Sequence, residues 1–132
     1  MVRVVLAFFN AALLLLGAAA AAQQPARPQI ETTKVEGTDN VYVFRAGNAQ
    51  AMFIVTSAGV IATDPISYAR RDASQVYVDE IKKVTNQPIR YLIYSHHHFD
   101  HIAGGKPFKD AGATVVAHQN AKTRLAALKD PH

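Results

Sequence analysis

The sequence predicts an α/β fold, a β-sheet with crossover helices. Three observations predict it. Short β-branched and aromatic runs crowd residues 41–63. A helical stretch at 72–84 separates them from a further apolar run at 89–94. Strand-like and helix-like segments alternate again up to residue 128. A β-rich start followed by strand–helix–strand–helix order indicates a sheet with crossover helices.

Residues 34–64 read as β structure. Val41-Tyr42-Val43-Phe44 is the first clear strand, and Gly47-Asn48 is a turn signal after it. Ala51–Thr56 makes the second, Ser57-Ala58-Gly59 the hairpin connection, and Val60–Thr63 the third. Asp64-Pro65 ends that strand, because proline cannot continue the ladder. Ala73, Val76, Tyr77, Ile81 and Val84 then follow the three-and-four spacing of an amphipathic helix. Asn86-Gln87-Pro88 stops it, and Ile89–Tyr94 is of strand length. A short helix starts near Asp100, Thr114–Ala117 is another strand, and Gln119–Leu128 another helix.

Composition narrows the chemistry. The chain has 132 residues and no cysteine, so it holds no disulfide, no thiolate metal ligand and no thiol nucleophile. Its 49% hydrophobic and 18% charged residues suit a packed domain rather than a disordered tail. Residues 1–22 form a distinct segment: Arg3 is the single charge, Leu13–Leu16 the apolar centre, and Ala18–Ala22 a small-residue end. That order predicts a cleaved signal peptide, an exported periplasmic or secreted protein, and no stable membrane association after cleavage. An uncleaved membrane tether is the alternative, since about 20 apolar residues span a bilayer. Residues 23–33, with Pro25 and Pro28, read as an extended linker, and 34–132 as the domain. Without residues 1–22 the net charge is +3, with no basic run of five, which argues against a nucleic-acid partner.

Four of the six histidines fall in His96-His97-His98-Phe99-Asp100-His101. Alternate residues of extended backbone point the same way, so His96 and His98 are expected to converge beyond the strand. Asp100 and His101 come one turn later and face the same space. Imidazole and carboxylate donors suit Zn²⁺. Four donors in six residues crowd one tetrahedral ion and suit two ions, one on His96 and His98 and the other on Asp100 and His101. The cluster follows the carboxyl end of a strand, where open α/β sheets place their sites. It runs into Gly104-Gly105, which permit close backbone approach. The bland alternatives are a surface histidine tract, and Asp100 as a helix cap.

Ser95-His96-His97-His98-Phe99-Asp100-His101-Ile102-Ala103-Gly104-Gly105 resembles the His-x-His-x-Asp-His signature of the metallo-β-lactamase-fold hydrolases. The resemblance covers about Val35 to Leu128 and includes the strand-end Thr63-Asp64-Pro65. It is specific for the superfamily and says little about substrate. It implies an αββα sandwich of which this chain carries the N-terminal half, a mixed β-sheet with helices on its outer face, as a truncated domain. It implies two zinc ions, the same four ligands, and a metal-bound hydroxide that attacks a small-molecule ester, thioester, amide or lactam. Asp100 would then also help orient the nucleophile. Asp64 matches an aspartate that orients a ligand histidine from behind, with a plain Asp-Pro turn as the equal alternative. His97 is expected to point away from the metals, and His118 and His132 lie outside the ligand pattern. The remaining ligands of such a site come from the second half, and none is found after the motif. The expectation is therefore weak metal binding, little turnover and an uncovered inner sheet face. A non-catalytic metal-binding fragment or histidine-tract metal carrier is the alternative function.

Overall fold

The computed structural model describes residues 29–127. The signal-peptide expectation for residues 1–22, most of the linker, and His132 lie outside the described residues.

Six strands form one mixed sheet in sequence order. They are β1 (Ile30–Lys34), β2 (Val41–Ala46), β3 (Ala49–Thr56), β4 (Gly59–Thr63), β5 (Ile89–Ile93) and β6 (Thr114–Val116). The first four pair as antiparallel neighbours. From β4 onward the pairing is parallel. Parallel neighbours need a crossover. Helix α1 (Ala73–Val84) supplies the first, and the short helices α2 (Phe99–Ile102) and α3 (Lys106–Asp110) lie in the second. Helix α4 (Gln119–Ala127) follows β6.

Period-two alternation sends Phe44, Ala46, Phe53, Val60, Ala62 and Leu92 to one face of the sheet. Helix α1 buries Ala73, Tyr77, Val78 and Ile81 against it, and α3 adds Phe108. Tyr77 is the hub. Its ring stacks on Phe44 at 4.3 Å and meets Phe108 edge-on at 5.1 Å. Its hydroxyl donates to the Met52 carbonyl at 2.7 Å, so its polar end is satisfied inside the core. The opposite face carries Met52, Tyr91, Ile93 and Val116, each at least 36% exposed.

Two elements depart from the sequence reading. Strand β1 takes residues 30–33 out of the expected linker. It is an edge strand held by its ladder to β2 and by polar partners rather than by apolar alternation. Glu31 pairs with Arg45 at 3.9 Å, and Thr32 donates to Glu80 of α1 at 2.9 Å. Helix α3 has no counterpart in the sequence reading, which places only a tight bend at Gly104-Gly105. Pro107 occupies the first turn, where its missing N–H costs nothing, and Phe108 anchors the turn in the core.

Candidate metal centre

The change from antiparallel to parallel pairing at β4 puts two carboxyl ends side by side. Asp64 leaves β4 and Ser95 leaves β5, with the Asp64 N–H donating to the Ile93 carbonyl at 3.0 Å. Open α/β sheets bind ligands at this kind of crevice. The backbone there is strained: Asp64 has φ +34° and Ile66 φ +46°. A β-branched residue in that region is rare, and such conformations persist where surrounding contacts enforce them. Here the Ile66 and Ser67 N–H groups donate to the His101 and Ala103 carbonyls, tying the loop after β4 to α2.

Gly104 makes that closeness possible. It has φ +91°, and a Cβ there would sit 2.4 Å from Ser67 Cβ. At Gly105 a Cβ would meet the Tyr94 hydroxyl at the same distance.

Helix α2 begins with His98 as its N-cap, and no side chain caps it. Asp100 therefore lies in the first turn and does not serve as the cap. Residues 95–97 bend rather than continuing β5, so the convergence of His96 and His98 comes from a bend and not from strand alternation. The His96 ring centroid lies 4.7 Å from that of His98 and 4.2 Å from that of His101. His97 lies against His98 at 5.1 Å. Burial first, then Arg124, His98 and His96, hold the His97 imidazole below its ordinary pKa. His118 stands apart as an exposed residue whose Nδ1 accepts the Asn120 N–H at 3.2 Å, at the start of α4.

Asp64, only 6% exposed, organises the cluster. Its Oδ1 accepts the Ser95 N–H at 2.8 Å, and its Oδ2 accepts the Ser95 hydroxyl at 2.6 Å. The same Oδ2 lies 3.1 Å from His101 Nδ1. An ionised carboxylate only accepts, so a neutral His101 ring carries its proton on Nδ1 and presents a bare Nε2. That Nε2 is 3.7 Å from Asp100 Oδ2. Two ligands of one tetrahedral zinc with bonds of 2.0–2.1 Å stand about 3.3 Å apart, so this pair fits a shared ion. Three imidazoles with nearby carboxylates fit zinc in donor chemistry. Among the described residues, no three His, Asp or Glu side chains are gathered for a single ion.

A cleft of about 580 Å³ opens beside Asp100 and His101. Its walls are the β2–β3 turn at Gly47 and Asn48 and the loop carrying Tyr68 and Arg70. Tyr68 meets Phe99 edge-on at 5.5 Å, and Arg70 is paired with Asp72 at 2.8 Å. Sequence reasoning assigned no part to Ser95, Tyr68 or Arg70; the Asp64 contact of Ser95 and the Phe99 contact of Tyr68 join distant stretches of chain. The one available signal was a hydroxyl directly preceding the first histidine.

A family model described as the metallo-beta-lactamase superfamily matches residues 45–129. The chain belongs to that superfamily. Among curated superfamily relatives it is 34% identical over 44 residues to a hydroxyacylglutathione hydrolase of Pelagibacter ubique, covering 33% of this chain and 18% of that protein. Its fold is similar to a metallo-beta-lactamase from Pontibacter korlensis, with TM-score 0.61 and 19% identity over 74% of this chain and 47% of the other. It is likewise similar to MEM-A1, a subclass B3 metallo-beta-lactamase from a soil metagenome library, with TM-score 0.63 and 22% identity. That match covers 76% of this chain and 37% of the other. The chain thus spans less than half of the solved superfamily structures named here and about a fifth of the curated relative.

Proposed function

We propose that the chain is the metal-binding part of an exported zinc-dependent hydrolase acting on a small-molecule ester, thioester, amide or lactam. His96 and His98 hold one zinc, Asp100 and His101 the other. The remaining ligands come from the part of the superfamily fold that this chain does not cover. The observation that carries the reading is the clustering of the His98 and His101 rings around that of His96, with Asp64 behind His101. Membership of a superfamily whose named relatives include a hydrolase and lactamases supports it.

Bound zinc supplies Lewis acidity and brings the pKa of water to about 7. The chain's own residues do the rest. Asp64 keeps the His101 proton on Nδ1, leaving Nε2 for the ion. The Asp100 carboxylate, 62% exposed at the cleft, would orient the nucleophile. The cleft wall formed by Tyr68 and the β2–β3 turn holds the substrate against that carboxylate. No nucleic acid or membrane takes part.

One observation favours a second reading, a non-catalytic metal carrier: no three donors are gathered among the described residues. Hydrolysis of thioester and lactam probes by the full chain with two zinc equivalents separates the two. The hydrolase reading expects slow, zinc-dependent turnover that His96→Ala or Asp100→Ala abolishes. No turnover at all would leave the carrier. For export, intact-mass measurement of secreted material should show residues 1–22 removed.

A further inference from the structure

The bond set around Ser95 fixes more than its own position. Ser95 has one hydroxyl proton, and at 2.6 Å from Asp64 Oδ2 that proton goes to the carboxylate, which can only accept. The Ser95 oxygen keeps its lone pairs. One of them faces His96 Nδ1 at 2.9 Å. With the hydroxyl proton committed to Asp64, this contact needs its proton from the imidazole. When neutral, His96 must therefore be the Nδ1–H tautomer, with Nε2 bare. Asp64 imposes the same tautomer on His101 by direct contact at 3.1 Å.

We propose that Ser95 is a positioning residue that relays Asp64 to His96, so that one buried carboxylate sets the tautomer of two histidines. The inference rests on the zinc reading in one respect, that His96 and His101 serve different ions; the tautomer itself is a property of the metal-free chain. At the start of the bend that follows β5, Ser95 is the one residue of the cluster whose backbone and side chain both bind Asp64. A hydroxyl is required because it donates to one partner while accepting from the other. Alanine does neither, and threonine does both.

The test uses the full chain with ¹⁵N-labelled histidine, at a pH where the imidazoles are neutral. Long-range ¹H–¹⁵N correlation reads each tautomer without metal. The wild type is expected to show His96 and His101 both protonated on Nδ1. In Ser95→Ala the Asp64 bond to the Ser95 N–H persists, so His101 should keep its tautomer while His96 loses its preference. Ser95→Thr should restore it. In a zinc titration, Ser95→Ala should weaken one binding step roughly 10–100-fold and spare the other, again with rescue by threonine. His96 protonated on Nε2 in the wild type, or an unchanged His96 in Ser95→Ala, overturns the proposal. If Ser95→Ala does not fold, the wild-type and Ser95→Thr spectra decide alone: Nδ1–H at His96 in both supports it, and Nε2–H in either overturns it. A chain that takes up no zinc while showing the expected tautomers contradicts the zinc reading and leaves the relay standing.

Discussion

Asp64 Oδ2 lies 3.1 Å from His101 Nδ1, joining residues 37 positions apart in the chain. The contact ties the carboxyl end of β4 to α2 and gives a buried carboxylate a defined task. Replacing Asp64 with Asn keeps the shape and removes the charge. Its amide group would then oppose N–H and O–H donors that now all point at acceptors. Asp64→Asn should lower unfolding stability by about 1.5–3 kcal/mol, the worth of a hydrogen bond to a charged group. It should also weaken zinc uptake roughly 10–100-fold. Urea unfolding and zinc titration of the same preparation check both.

Gly104→Ala should separate the two sides of the crevice. The new methyl group would run into Ser67, and the residue would keep a φ of +91° that suits glycine. Overpacking of this kind costs about 1–3 kcal/mol, before the backbone term is added. Thermal unfolding should show the loss. Hydrogen exchange should show it concentrated at the Ile66 and Ser67 amides, which now donate to α2.

Glu80 gives the fold a pH dependence. Its carboxyl accepts from Lys83 and from Thr32 of β1. The Lys83 bond, outweighing burial and aided by Thr32, holds its pKa below the ordinary carboxylate value. A depressed folded-state pKa means stabilisation that is present above the unfolded value and lost as pH falls through the folded one. Glu80→Gln should therefore be less stable than wild type at neutral pH, by up to about 1 kcal/mol given the exposed lysine. The gap should close as the solution is acidified, as denaturant midpoints measured across the acid range will show.

Much of this fold was legible because burial leaves a period in the sequence. Strands β2 to β4 alternate, β5 is a compact apolar run, and α1 repeats its buried residues at Ala73, Tyr77 and Ile81. Strand β1 was not legible, because Ile30 is its one apolar residue and its hold is backbone pairing. Helix α3 is five residues long, too short for a period to show. The candidate donor residues stand out in one window of the sequence because they are near neighbours in the chain. What holds them could not be read there. Asp64 meets Ser95 and His101 only because β4 and β5 are parallel neighbours, and the cleft walls come from turns far from the motif. The bend at residues 95–97 also replaced the expected extended geometry while still bringing the rings together.

Zinc titration of the full chain, followed by histidine ¹⁵N spectra, tests the central claim most directly. Saturable uptake that shifts His96, His98 and His101, while leaving His118 in place at the start of α4, is the predicted result. Absence of saturable uptake, or shifts at His118 as large as those at the other three, would contradict it.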